Sequence, residues 1–571
     1  MHAKPLPGVV RACAVVKTLP LCLAFWFDLA LQTSPRPDAL ILRVEGATFA
    51  IPLGIAWDLT ILRDYPASPD PAAVLVAAEH LQWVTLGDVK NTSRRSPHKM
   101  SSMMPAVGLS MAREGDAWAQ LISAADATVA YLSDPAACAS LRTTGQYTSA
   151  TLVLARVLEY ASRAALGRQL RGCNCSSPGV LECDDLPAAG SPCAGSVAPP
   201  PDWVLFPVDL TWLEGSASKF DAFHAHVQRT IDGFAVDSSR AVFFLSRSGR
   251  DMFLEEPYAR FRALFLDAPR SAPAALSRAV FVTAEGHPPW YWGSVPFVDQ
   301  SVEIPFSTSL HARAGGICQG RESAWARYSD RARPIRVAMA SGARLASRVR
   351  TRVRGDMLAC ATSAALAPGT CAIIDLTNSS GSSEDVELSV TALYAASIFC
   401  IMPPGDTPLR RGFWDAILLG CIPVTLRPTV TRLGHDQRAP RVEHYPPWKY
   451  ALADVLPLYE VLDAGGAFID DDVLEGRGSL LWWQEPATVA PWLGRLLAIP
   501  PARVARMQAE LLRLAAGFQS REPGGPPSYA EAVRGSARDA TDWLLLSLAR
   551  KGRQRRRERL PDESCAAALA G

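Results

Sequence analysis

The chain has 571 residues, of which 49% are hydrophobic and 20% are charged, so it can build sizeable cores and is not a largely disordered protein. Its length allows several domains. The formal charge of +2, from 58 basic and 56 acidic residues, argues against a dedicated polyanion binder such as a nucleic-acid-binding protein. No apolar run reaches the roughly 18 residues of a spanning helix, which excludes a multi-span membrane protein.

The N-terminal region, residues 1–105, has no clear repeating pattern. Residues 18–27 form a ten-residue apolar run behind Lys4, Arg11 and Lys17. That length is typical of the apolar region of a signal peptide. A cleaved signal, a signal anchor of a type II membrane protein and a buried helix of the mature protein remain alternatives.

Residues 106–329 are predicted to form a first Rossmann-like domain. Short apolar runs (WVLFPV, AVFFLS and AVFVTA) alternate with helical stretches, which is typical of a parallel sheet in an α/β protein. An insertion at 171–202 is rich in cysteine, proline, serine and glycine. The spacing of its four cysteines does not match a zinc site, so we expect disulfides and an oxidising compartment.

A second α/β run, residues 330–525, is predicted to form another Rossmann-like domain that faces the first across a cleft. Its strands include PIRVAMAS, CAIIDLT, IFCIMP and IPVTL, with helices between them. Ligands of such sheets bind beyond the carboxyl ends of the strands. The C-terminal segment 526–571 contains a helix and a basic tail, and we expect the basic run 551–558 to be solvated rather than bound to nucleic acid or lipid.

The most informative stretch is residues 398–428, where a buried strand is followed by a tight loop and a short helix. Thr407 and Pro408 predict the start of this helix. Arg410 and Arg411 then fall in its first turn, where the helix dipole already places positive charge. Such a conflict without visible compensation suggests a functional site, and a diphosphate bound there would resolve it.

The same helix carries Asp415 four residues after Arg411, on the same face. Asp415 could pair with Arg411, or it could accept hydrogen bonds from a ribose near the phosphates. Gly420 is predicted to end the helix. The segment contains neither a Walker loop nor a G-x-G-x-x-G fingerprint, which disfavours an unrelated Rossmann enzyme such as a dehydrogenase.

This stretch resembles the exostosin-like glycosyltransferases of family 47, in the branch of the xyloglucan galactosyltransferases. The residues that carry the resemblance are Phe399, Cys400, Pro404, Gly405, Asp406, Thr407, Arg410, Arg411, Trp414, Asp415 and Gly420 to Val424. Weaker similarities lie upstream at Gly249 to Asp251 and at Arg333 to Arg344.

The resemblance implies a GT-B fold of two Rossmann-like domains and an inverting, metal-independent transfer from a UDP-sugar, with no cofactor. The acceptor would be a glycan or a glycoprotein, and the protein would work in the Golgi lumen. The residues expected to bind the donor are Gly342, Arg344, Gly405, Asp406, Thr407, Arg410, Arg411 and Asp415. Among them, Arg410 and Arg411 would face the diphosphate and Asp415 the ribose.

The catalytic base is predicted to be Asp251, with Arg250 beside it on the acceptor side. Alternatively, Asp251 is a turn residue held by Arg250, and Glu285, Asp299 and Glu303 compete for the role. Met252 replaces a histidine of the family pattern, so a catalytically inactive relative that binds nucleotide or glycan is a second hypothesis. The D-x-D at 470–472 better fits the start of a helix than a metal site.

Overall fold

The computed structural model describes part of the chain. The described residues are 39–52, 70–86, 104, 108–111, 116–134, 139–142, 148–170, 200–210, 217–246, 278–284, 301–312, 333–342, 348–377, 383–403, 411–427, 467–470, 490–515, 521, 523 and 539–559.

Fourteen strands and ten helices are used below to describe these residues. The strands are β1 Ala39–Val44, β2 Ala47–Pro52, β3 Leu109–Ser110, β4 Ala139–Leu141, β5 Trp203–Asp209, β6 Ala241–Leu245, β7 Val280–Thr283, β8 Ser301–Glu303, β9 Leu310–Ala312, β10 Ile335–Ser341, β11 Cys371–Asp375, β12 Ser397–Ile401, β13 Ile422–Arg427 and β14 Ala467–Asp470. The helices are α1 Pro71–Leu86, α2 Asp116–Ser133, α3 Ser149–Leu170, α4 Ala217–Gly233, α5 Arg348–Thr362, α6 Ser383–Ala395, α7 Arg411–Leu418, α8 Pro491–Leu497, α9 Pro501–Ala515 and α10 Ala540–Arg559.

The first sheet has the strand order β1-β2-β5-β6-β7-β8. All its neighbouring pairs are parallel except the β1–β2 hairpin. The central strands β6 and β7 are buried along their whole length. A sheet covered on both faces needs such continuous apolar strands, which is why AVFFL and VFVT take these positions.

The second sheet has the strand order β14-β13-β12-β10-β11-β3, and it is parallel except for the short edge strand β3. The chain leaves β10 for β11 on one side and then returns to β12 on the other side. This reversal creates a topological switch point between β10 and β12. The prediction of an α/β protein with two mostly parallel sheets is confirmed, and this architecture is consistent with the GT-B type.

The N-terminal region contributes a hairpin to the first sheet. The hairpin of β1 and β2 extends the first sheet through the pairing of β2 with β5. Glu45 and Gly46 form its turn, both with positive φ (47° and 78°), which is the geometry of a tight two-residue hairpin. The strand β3 instead pairs with β11 of the second sheet. These pairings are long-range in sequence, so local patterns could not place them.

The expectation that the basic run after residue 550 is solvated is wrong over the part with described side chains. Helix α10 continues through this run and packs against the first sheet. Arg553 pairs with Glu45 at 3.0 Å, and Arg555 lies 4.8 Å from the Trp203 ring centroid while donating to the Ser239 carbonyl. The positive charges are therefore used in tertiary contacts.

Two other expectations fall on residues outside the described ranges. They concern the apolar N-terminal run and the Cys-rich insertion, of which only residues 200–202 are described. Within the helices that the structure describes, none is long and apolar enough to cross a membrane.

Candidate nucleotide-sugar site

The candidate site lies at the switch point of the second sheet, where β10 and β12 run side by side and end together. Met339 of β10 is in register with Ile401 of β12. Gly342 directly follows β10, and residues 402–411 connect β12 to helix α7. The chain diverges to opposite sides after these two strands, and ligands of such sheets typically bind at the carboxyl ends of strands at this position.

Helix α7 is held against the sheet by its apolar face. Phe413, Trp414 and the residues from Ala416 to Leu418 are all buried. The helix ends as the sequence predicts: Gly420 has a φ of 70°, and the Cys421 N–H donates to the Ala416 carbonyl at 2.9 Å. The described part of the helix begins at Arg411, and the predicted start at Thr407 and Pro408 lies outside the described residues.

The Arg411 guanidinium contacts two carboxylates and one hydroxyl. Its Nη2 donates to Glu387 Oε1 and to Ser309 Oγ, and its Nε lies 3.4 Å from Asp415 Oδ2. The positive charge at this helix start therefore has compensation that the sequence analysis does not foresee, and Glu387 of helix α6 supplies it from a distant part of the chain. The Arg411–Asp415 pair is the alternative that the sequence left open.

Asp415 is almost fully buried, with 8% of its surface exposed. Burial raises its pKa to about 6; the Arg411 guanidinium opposes the rise, the Glu387 carboxylate adds to it, and the Ser309 N–H opposes it again. That N–H donates to Asp415 Oδ1 at 3.3 Å. This carboxyl group is therefore easier to protonate than a carboxyl group in water.

Arg333 joins the ends of the two helices that carry Glu387 and Arg411. Its Nη1 donates to the carbonyl of Ala395 at the end of α6 (3.0 Å) and to that of Ser397 at the start of β12 (2.8 Å), and its Nη2 donates to the carbonyl of Leu419 at the end of α7 (2.8 Å). A cation is favourable where helix carbonyls lack partners. This contact fixes α6 and α7 relative to each other.

Two disulfides lie in the second sheet region. Cys400 of β12 is bonded to Cys421, and Cys360 of α5 is bonded to Cys371 of β11, with Cα–Cα distances of 5.8 and 5.7 Å. The Cys400–Cys421 bond joins the two ends of the segment that runs from β12 through helix α7. The sequence analysis missed both pairs because the partners are distant in sequence or separated by an irregular turn, with no spacing signature.

Of the donor-binding residues predicted, the structure describes three. Arg411 and Asp415 are in contact, and Gly342 lies at the end of the neighbouring strand, where an added Cβ would meet Leu376 at 3.6 Å, an ordinary packing distance. The remaining predicted site residues lie outside the described ranges: Arg250, Asp251, Arg344, Gly405, Asp406, Thr407 and Arg410.

Two of the competitors for the base, Glu285 and Asp299, also lie outside the described ranges, and Glu303 is the last residue of β8. Among the described residues, no three His, Cys, Asp or Glu side chains are grouped so that they could hold a metal ion.

Sequence reasoning missed Ser309 and Glu387. Neither belongs to a recognisable motif, and they reach Arg411 from different parts of the fold. Ser309 follows β8 of the first sheet, and Glu387 lies on α6. Only the tertiary fold brings them to Arg411, so the sequence offers no signal for either residue.

Parts of the chain are similar in sequence to proteins of the plant Arabidopsis thaliana. The chain is 29% identical over 204 residues to the probable xyloglucan galactosyltransferase GT19 of Arabidopsis thaliana, covering 34% of this chain and 44% of that protein. It is 46% identical over 56 residues to the probable xyloglucan galactosyltransferase GT13 of the same plant, covering 10% and 12%. A third relative, its xyloglucan-specific galacturonosyltransferase 1, is 41% identical over 61 residues, covering 11% and 9%. The chain thus aligns with less than half the length of each.

A solved structure, Arabidopsis thaliana UGT89C1 complexed with quercetin, is 11% identical, with 69% of this chain and 79% of that chain covered. Its TM-score of 0.23 is too low to indicate a shared fold. Residues 280–449 match the Exostosin GT47 domain, and this range includes β10 to β13, the switch point and helix α7. The chain is therefore similar to the Exostosin GT47 domain over residues 280–449, and to plant xyloglucan galactosyltransferases over parts of its length.

Proposed function

We propose that the protein is an inverting glycosyltransferase that moves a sugar from a UDP-sugar to a hydroxyl group of a glycan or glycoprotein, without a metal ion. The observation that carries this proposal is the match of residues 280–449 to the Exostosin GT47 domain. That range contains the switch point of the second sheet and the pair Arg411 and Asp415 beside it.

In the proposed reaction the acceptor hydroxyl attacks the anomeric carbon as UDP leaves in the same step. The leaving diphosphate gains negative charge, which Arg411 and the start of helix α7 would stabilise. Arg410, Arg344 and the loop with Gly405, Asp406 and Thr407 are proposed to share this role. Asp415 would accept hydrogen bonds from the ribose.

We propose Asp251 as the general base that takes the proton from the acceptor hydroxyl, with Arg250 beside it. This assignment rests on the position of Asp251 after a predicted strand of the acceptor-side domain. General bases of this kind typically contribute about 10²- to 10⁴-fold to a rate. Asp251→Asn should therefore lower turnover by that factor and leave UDP affinity within about threefold.

The test of the donor site is UDP release by the full chain with a panel of UDP-sugars and glycan acceptors. Arg411→Ala should lower the rate by about 10²- to 10³-fold, the loss typical of one well-placed donor of positive charge. Asp415→Asn should raise the KM for the donor. Arg503→Ala, at an exposed position on α9, is the matched control and should behave as the wild type. Wild-type rates in Arg411→Ala would overturn the proposal.

A second candidate is a catalytically inactive relative that binds nucleotide or glycan as a partner subunit. The observation that favours it is the pairing of Arg411 with Glu387 and Asp415, which already compensates the positive charge. UDP binding by calorimetry, without UDP release for any donor and acceptor pair, would support this candidate over the enzyme.

We propose further that the protein works in the lumen of the Golgi apparatus, as a type II membrane protein or after signal cleavage. The disulfides Cys360–Cys371 and Cys400–Cys421 support an oxidising compartment. The basic and apolar residues at 4–27 support an entry signal. Resistance of a tagged full-length protein to protease in sealed microsomes would test the location, and degradation there would contradict it.

A further inference from the structure

Ser309 brings the first sheet into contact with the candidate donor site. It lies in the segment 304–309, which leaves β8 and leads into β9, and it is 2% exposed. Its N–H donates to Asp415 Oδ1 at 3.3 Å. Its hydroxyl donates to Glu387 Oε1 and accepts from Arg411 Nη2. One serine thus contacts all three charged side chains of the cluster.

Glu387 approaches the same arginine from helix α6. The side chains of Glu387 and Arg411 are 15% and 20% exposed, so both are largely shielded from water. A long arginine side chain has many rotamers, and only fixed partners select one of them. Glu387 and Ser309 together hold the guanidinium fork while its Nε lies beside Asp415.

The position of Ser309 is itself fixed by the first sheet region. Ser307, two residues earlier, donates its N–H to Ser149 Oγ at 2.5 Å, and its hydroxyl lies 3.0 Å from Thr148 Oγ1. Ser149 is the first residue of α3, which packs against β5 and β6. The segment is therefore tied to α3 at one end and to the charged cluster at the other.

We propose that Glu387 and Ser309 are positioning residues for the donor site, which hold Arg411 and Asp415 in the orientation that the nucleotide diphosphate requires. This inference rests on the proposed function and adds two residues to it. Ser309 would also make donor binding depend on the contact between the two sheet regions, because its anchor lies on the first one.

Two variants of Glu387 distinguish a role in positioning Arg411 from a role of its negative charge alone. Glu387→Ala removes the acceptor for Arg411 and should weaken UDP binding about tenfold, the equivalent of one charge-assisted hydrogen bond. Glu387→Gln keeps an acceptor at the same place and should restore binding to within about threefold. Ser309→Ala keeps the N–H to Asp415 but loses the hydroxyl, so we expect an intermediate loss of about threefold. Asp385→Asn, on the same helix, is the control for removed charge.

The pH dependence gives a readout that a purely structural role would not change. Asp415 faces Arg411 on its own helix, Glu387 on α6 and the Ser309 N–H. Glu387→Gln removes a negative neighbour that raises the pKa of Asp415, so the pH midpoint of UDP affinity should move to lower pH, whereas Asp385→Asn should leave it in place. Melting temperatures of all variants identify any that fail to fold.

The outcomes are distinguishable. If UDP does not bind the wild-type protein, the proposed function fails and the donor role of both residues fails with it. If the wild type binds UDP and folded Glu387→Ala binds it equally well, or if Glu387→Gln leaves the pH midpoint unchanged, this inference alone is overturned.

Discussion

At the scale of single residues, Asp415 shows how a carboxyl group in contact with arginine can still have a raised pKa. The Arg411 guanidinium lies between Glu387 and Asp415 and favours the charged form of Asp415. Burial and the negative charge of Glu387 act in the opposite direction. The surroundings therefore favour the protonated form more than water does.

The first prediction follows from the sign of this shift. Because the folded-state pKa of about 6 lies above the ordinary value of 3.8, Asp415 contributes stability below about pH 4 that is lost as the pH rises through 6. Two pKa units correspond to on the order of 3 kcal/mol. Asp415→Asn should abolish this part of the pH dependence. Urea unfolding of both proteins between pH 4 and 7.5 would measure it, and parallel curves would contradict the assignment.

At the scale of elements, Arg333 is the contact that sets helix α7 against helix α6. Its guanidinium satisfies carbonyl groups at the ends of both helices, which have no partner within their own helix. The candidate site depends on this contact, since Glu387 lies on one of these helices and Arg411 on the other.

The second prediction concerns this clamp. Arg333→Met should lower the free energy of unfolding by about 3 kcal/mol, because hydrogen bonds from a charged donor are worth about 1.5–3 kcal/mol each and several are lost together. Arg333→Lys should lose less, since an ammonium keeps the charge without the planar fork. Arg503→Met, at an exposed helix position, should change stability by less than about 0.5 kcal/mol. Equal stability of Arg333→Met and Arg503→Met would refute the clamp.

The elements themselves were well predicted where apolar runs are long and continuous. The strands from β5 to β7 and from β10 to β13 follow the sequence prediction closely, because a strand buried on both faces has little freedom in composition. The end of α7 at Gly420 also follows local chemistry. By contrast, the docking of the β1–β2 hairpin and the pairing of Arg411 with Glu387 are tertiary contacts, which no local pattern encodes.

At the scale of the whole molecule, helix α10 packs the C-terminal part of the chain against the first sheet region, and buried charged side chains connect the two. Asp539 and Asp542 cap the helix start reciprocally: each carboxylate accepts the N–H of the other residue, at 2.9 and 3.0 Å. Tyr160 of α3 donates its hydroxyl to Asp542 at 3.0 Å. Arg156 of α3 pairs with Glu159 and lies 3.8 Å from Asp539. The residues of this network are all buried.

The last prediction tests this connection at Arg156, whose side chain is 2% exposed. Arg156→Met removes the buried cation that contacts both Glu159 and Asp539, which typically costs about 3–5 kcal/mol of unfolding free energy. Arg503→Met, at an exposed position on α9, should change it by less than about 0.5 kcal/mol.

The pH dependence has a definite sign. Burial acts to raise the pKa of Glu159, but Arg156 and its other partners outweigh burial and lower it, so this carboxylate contributes stability at neutral pH that is lost in acid. Without Arg156 the buried carboxylates gain protons more easily, and the deficit of Arg156→Met should therefore shrink as the pH falls from 7 to 4. Denaturant unfolding at both pH values measures the deficit. A deficit that stays constant, or one no larger than that of Arg503→Met, would mean that buried charge does not hold helix α10 to the first sheet region.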